Sequence, residues 1–160
     1  MKRSISLVAI AVLILAGASM SAQSKPTFAG KWTMVPESVA AAGATGRGGG
    51  LGQEFTAVQD EKTLTVTTNN PQLGELKTVY NLDGSESKNP LNFGGQTVDR
   101  VSKVKWDGAK LVITTSVNFS GNVGESTQTW MLDGSGNLVV ESSSNLTGTL
   151  TTSKATYKKG

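Results

Sequence analysis

The 160-residue chain contains no cysteine and no histidine. Without cysteine it has no disulfide, no thiol nucleophile and no thiolate to hold a metal. Without histidine it has no imidazole base for a serine or threonine nucleophile, and no imidazole metal ligand. Charged residues are sparse at 17%, and aromatics make up only 6%. The adjacent carboxylates Asp60-Glu61 fall in a turn, where solvation is their ordinary role. No spacing of Asp or Glu suggests a glycosidase dyad or a calcium loop. The chain is therefore expected not to be an enzyme, with no catalytic residues, no metal and no cofactor.

One long apolar run is present. Lys2 and Arg3 precede the hydrophobic stretch 5–17, and small residues follow it. A cationic start, a short apolar core and a small-residue exit make a secretory signal peptide. The run is shorter than the roughly 20 residues of a membrane span. An uncleaved anchor is the alternative, and the absence of cysteine excludes a lipoprotein anchor. Cleavage after Ala22 is preferred, and cleavage after Ala18 is the other option. The expected organisation is thus a signal peptide at 1–22 and one domain at 23–160, exported to the periplasm or the exterior, with no membrane span after cleavage. Removing Lys2 and Arg3 leaves 13 Lys+Arg against 12 Asp+Glu, a net charge of +1 in place of +3. A nearly neutral domain without a basic stripe is not a nucleic-acid binder. It is expected to be a monomer.

From Phe28 onward Thr, Val, Ser and aromatic residues alternate in short runs. This patterning predicts strands at 27–35, 53–60, 63–69, 75–82, 96–106, 109–118, 124–132, 137–144 and 149–158. The pairs Asp83-Gly84, Asp107-Gly108 and Asp133-Gly134 read as tight hairpin turns. The fold class is all-β: an antiparallel up-and-down meander closing into a barrel of about 8–10 strands, which removes exposed edges. A β-sandwich is the alternative. The segment 36–52 reads as a flexible Gly/Ala-rich loop, within which 38–44 is the one place for a short helix. Its glycine spacing matches no phosphate-binding fingerprint.

Strand side chains alternate between faces, so apolar parity marks the interior. Val98, Val104 and Trp106 set an inner face that carries Arg100 and Ser102 with it. Trp130 brings Gln128 inward, and Tyr80 shares a face with Leu76 and Leu82. An inward arginine requires a partner or solvent. One reading makes Arg100 a cavity cation for an anionic or polar ligand head, helped by Gln128 and Tyr80, with Trp130 in the same ligand-binding set. The others are a bulge that turns Arg100 to water, or an ion pair near the rim. Ser102, Thr115 and Ser142 also face inward, which argues against a dry aliphatic cavity. Either the barrel holds water and a polar ligand, or its own side chains fill it.

The first strand, Phe28-Ala29-Gly30-Lys31-Trp32, resembles the Gly-x-Trp opening of the calycins, which include the lipocalins and the fatty-acid-binding proteins. The tail 129–159 resembles the closing hairpins of the fatty-acid-binding proteins, so the likeness spans 28–159 in outline. It is nearer still to small exported bacterial proteins with a lipocalin-like domain. The resemblance implies a calycin barrel in which Trp32 closes one end, Gly30 allows close backbone approach, and Lys158 or Lys159 covers the indole. It also implies that the barrel binds a small, partly hydrophobic or amphipathic molecule. A structural or interaction barrel without a cavity is the alternative. Two positions depart from the fatty-acid-binding pattern. Ala155 stands where an arginine precedes the final-strand tyrosine, here Tyr157, and the glycine-rich loop stands where that family has a helical lid.

Overall fold

β-Branched and hydroxyl side chains at every second position favour extended chain. Among its described residues, the computed structural model of the protein is accordingly built of twelve strands, paired antiparallel throughout. It describes residues 24–36, 40–42, 50–119, 121–146 and 148–160, with 40–42, 93 and 119 as backbone only. The segment 1–22, expected to be a signal peptide, and most of 36–52, expected to be a loop, lie outside the described residues.

The strands are β1 (Gly30–Met34), β2 (Ala40–Ala42), β3 (Glu54–Gln59), β4 (Thr63–Asn70), β5 (Gly74–Asn81) and β6 (Ser87–Lys88). They continue as β7 (Leu91–Phe93), β8 (Gln96–Asp107), β9 (Lys110–Phe119), β10 (Asn122–Leu132), β11 (Leu138–Ser144) and β12 (Thr151–Lys159). The hydrogen-bonded path runs β5-β4-β3-β1-β12-β11-β10-β9-β8-β6, while β2 pairs with β12 and β7 with β8. Apart from the β1–β12 closure, most neighbours on this path are linked by hairpins. The predicted strands match β1, β3–β5 and β8–β12 within a few residues.

The short helix considered for 38–44 is corrected where the chain is described: Ala40–Ala42 is strand β2. Alanine favours helix, but β12 extends past the end of β1 and offers unpaired backbone groups. Ala40–Ala42 take them up opposite Thr152, Ser153 and Lys154. Asp83-Gly84 is a second correction. It does not close a hairpin but carries the chain from β5 to β6, strands at opposite ends of the hydrogen-bonded path.

Those two ends meet, which makes the sheet a nearly closed barrel and not a sandwich. The join uses a side chain in place of a ladder. The Asn89 Oδ1 accepts from the Val79 N–H at 2.8 Å, and its Nδ2 donates to the Val79 carbonyl at 2.9 Å. The Asn89 backbone N–H donates to the Arg100 carbonyl at 2.9 Å, tying the same residue to β8. One carboxamide thus stands in for a peptide group of a missing strand. Asn89→Ala is expected to cost about 1–2 kcal/mol for two lost bonds. It should also speed hydrogen exchange at Val79 well beyond that at β10 amides; equal protection at both places would show that the seam is held otherwise.

The core gathers at one end. Phe28, Trp32, Trp130 and Tyr157 are fully buried there with Phe55, and Trp106 packs against them. Phe28 stacks on Trp106 at 6.1 Å and meets Trp130 edge-on at 5.8 Å, while Phe55 meets Tyr157 edge-on at 5.1 Å. Six of the chain's nine aromatics therefore form one floor. The Trp32 Nε1–H donates to the Phe28 carbonyl at 2.8 Å, fixing the segment before β1 beneath the barrel. Lys159 Nζ lies over the Trp32 ring, 5.7 Å from its centre. Gly30 has φ +145°, and a Cβ there would lie 2.5 Å from the Lys159 Cε, so the bare backbone leaves room for that lysine stem.

Candidate functional site

The registers of β8 to β12 order the inward side chains into rows. The row at the floor is Trp106, Leu111, Trp130, Val140 and Ala155, all apolar bodies. Above it lie Val104, Ile113, Gln128, Ser142 and Ser153. The next row is Ser87, Ser102, Thr115, Ser126, Ser144 and Thr151, hydroxyls on six adjacent strands. Arg100, Val117 and Gly124 come last, nearest the open end. The barrel interior is therefore graded from an aromatic floor to a polar mouth.

Arg100 is half-buried. The β8–β9 register is unbroken from Asp99–Asn118 to Asp107–Lys110, which keeps Arg100 on the face of buried Ser102 and Val104. The ion pairs among the described residues are Lys31–Glu54, Lys103–Glu86 and Lys154–Glu141, all between exposed side chains. None of them involves Arg100. Its charge instead reaches Tyr80 on β5, across the seam. Burial pushes the Tyr80 phenol above its usual range, and the Arg100 guanidinium opposes this in part.

The four residues read from the sequence as a ligand set fall in two places. Arg100 and Tyr80 are brought into electrostatic range near the mouth. Gln128 and Trp130 lie lower, where the Trp130 Nε1–H donates to the Gln128 Oε1 at 3.0 Å. Arg100 and Val104, which shares a row with Gln128, are separated by four residues of β8. At about 3.3–3.4 Å per residue this is roughly 13 Å along the strand. Trp130 has no exposed surface and belongs to the floor with Phe28 and Phe55.

At the mouth a cavity of about 690 Å³ opens between Val98, Val117, Asn122, Gly124, Asn145 and Leu146. Leu146 lies against the bare backbone of Gly124, where a Cβ would stand 2.7 Å from the leucine Cδ2. Asn145 holds this loop down, its Oδ1 accepting from the Glu125 N–H at 2.7 Å and its own N–H donating to the Glu125 carbonyl at 3.0 Å. Val123 and Leu150 stand exposed on the β9–β10 and β11–β12 sides of the chain. Sequence reading does not reach this cavity, because its walls come from three strands and a loop whose register is not encoded locally.

The chain has two tyrosines, Tyr80 and Tyr157, and burial raises both phenols. Tyr157 also donates to the Gly52 carbonyl at 3.1 Å. Because the folded pKa exceeds the unfolded one, the stabilisation is complete below about pH 10 and is lost as pH rises above it. Absorbance at 295 nm is expected to stay flat through pH 10 and to rise only with unfolding. A half-amplitude step near pH 10 with the far-ultraviolet dichroism intact would put one phenol in water.

No protein-family model matches the chain, and no curated protein matches it by sequence. Among solved structures, the zebrafish ileal bile acid-binding protein complexed with cholic acid superposes with a TM-score of 0.55 at 22% identity. The match covers 83% of this chain and 98% of that one. It shows the fold: the barrel is of the calycin type.

Proposed function

We propose that the protein is an exported carrier that holds a small amphipathic molecule in its barrel and performs no catalysis. The observation that carries this reading is Arg100: half-buried, inward, without a carboxylate among the described residues, and close to the mouth. A guanidinium in that position suits an anionic or polar head group, to which it can present a planar fork of donors. The graded rows below it suit a body that becomes more apolar with depth. The neighbour in fold is complexed with cholic acid, an amphipathic carboxylic acid, which is consistent with such a ligand. Export rests on the leader at 1–22, and the absence of histidine and cysteine favours binding over chemistry.

Native mass spectrometry of protein recovered from its own host tests the whole reading. A retained small molecule is expected, on a chain whose mass corresponds to a start at Gln23 or Ser19. Empty spectra together with no uptake of a carboxylated fluorescent lipid would favour a cavity-free interaction domain. A chain that keeps Met1 would remove the export proposal.

A further inference from the structure

We infer that the row of hydroxyls beneath Arg100, together with Ser142 one row below it, is a specificity subsite, which selects ligands bearing an oxygen in mid-body over plain hydrocarbon chains. This rests on the carrier reading above and adds the class of ligand. The row is Ser87, Ser102, Thr115, Ser126, Ser144 and Thr151, contributed by β6 and by β8 to β12. Each residue shares the inner parity of its strand, so no apolar side chain interrupts the row over half the barrel. Ser87, Ser102 and Thr115 are buried, and the other three are half-buried.

These groups only partly satisfy one another. The Ser102 and Thr115 hydroxyls lie 2.8 Å apart, so one donates and the other keeps its own hydrogen for a further acceptor. Ser87 donates to the Ser102 carbonyl, and Thr151 to the Ser144 carbonyl, each at 3.3 Å. One row lower, the Ser142 Oγ is buried without a hydrogen-bond partner among the described residues. It sits beside Gln128 and Ser153 in register, on the same inner wall.

An orphaned hydroxyl facing a barrel interior is a group waiting for a partner. A saturated chain would leave the whole row against hydrocarbon, with its spare donors and acceptors unmet. The opposite wall is different: Ala57, Val66 and Leu64 there offer mainly apolar surface. The row lies two residues of β8 below Arg100, and Ser142 lies one row lower still. At about 3.3–3.4 Å per residue, the ligand oxygen belongs roughly 7–13 Å from the head group.

The matched probes are 10-hydroxystearate and stearate, which share head group and length and differ by one hydroxyl. Their affinities are measured by displacement of a carboxylated fluorescent lipid from the wild type, Ser142→Ala and Ser143→Ala. Ser143 is the outward neighbour on β11 and serves as the control. Wild type is expected to prefer the hydroxylated probe by roughly tenfold or more, because a site built for a hydroxyl penalises the ligand that lacks it. Ser142→Ala should reduce that preference to within about threefold while leaving stearate affinity and the melting temperature of the empty protein unchanged or raised. Ser143→Ala should keep the preference. Equal affinity of wild type for both probes overturns the subsite and leaves the carrier reading standing. Failure to bind either probe or the fluorescent lipid overturns both. A fall in affinity for both probes alike on Ser142→Ala, with a lower melting temperature, assigns Ser142 a structural role and overturns its place in the subsite.

Discussion

Trp130→Ala is expected to remove about 3–5 kcal/mol of folding stability and to lower the melting temperature by roughly 10–20 °C. The indole has no exposed surface, lies edge-on to Phe28 at 5.8 Å and tilts against Phe55 at 5.6 Å. Its removal opens a void beneath the centre of the barrel, at a point where five strands converge in register. The neighbours are themselves locked: Phe28 by the Trp32 hydrogen bond to its carbonyl, and Phe55 by the ring of Tyr157. A void with rigid walls collapses little, which places the expected cost in the upper part of the usual range for large-to-small changes. The Gln128 Oε1 also loses its indole donor. Trp130→Phe should recover most of the loss, since packing outweighs that single hydrogen bond. Urea unfolding of both variants is the measurement. A cost under about 1 kcal/mol for alanine would mean that the aromatic floor is loosely filled.

Arg100→Leu is expected to act in opposite directions on binding and stability. Affinity for a carboxylated fluorescent lipid should fall about tenfold to a hundredfold, the effect of a charge-assisted hydrogen bond worth about 1.5–3 kcal/mol. Stability of the empty protein should hold or rise, because the variant removes a half-buried cation that no carboxylate among the described residues offsets. Arg100→Lys keeps the charge but not the planar fork, and should fall between the two. Parallel titration and thermal melting separate this from a structural role, in which both quantities would drop together. An unchanged affinity in Arg100→Leu would take the residue out of the binding site.

The interior was largely legible in the chain. Leu64, Val66, Leu111, Ile113, Leu138 and Val140 are buried where alternation puts them, since period two follows from the geometry of an extended backbone. Arg100 and Ser102 are carried inward by the same rule. What stayed hidden depends on partners distant in sequence. Ala40–Ala42 form a strand because β12 has an unpaired stretch, not because of their own preference. Ser87–Lys88 and Leu91–Phe93 are too short to show a period. The hydroxyl row contributes one serine or threonine per strand, spread from Ser87 to Thr151, and only the register assembles it. Turn chemistry was half visible: Asp133 does organise its loop, accepting from the Ser135 and Asn137 N–H groups, but the left-handed residue is Gly136 and not Gly134.

The floor also decides which way the molecule faces. Lys25 lies over the Trp106 ring, and the Gly160 N–H donates to the Lys31 carbonyl, so both ends of the described domain emerge beneath the aromatic plug. Anything joined at Lys25 or Gly160 therefore departs from the pole opposite the cavity. A tether to a bead, a sensor surface or a second protein, made at either end, would leave the opening turned outward and unobstructed.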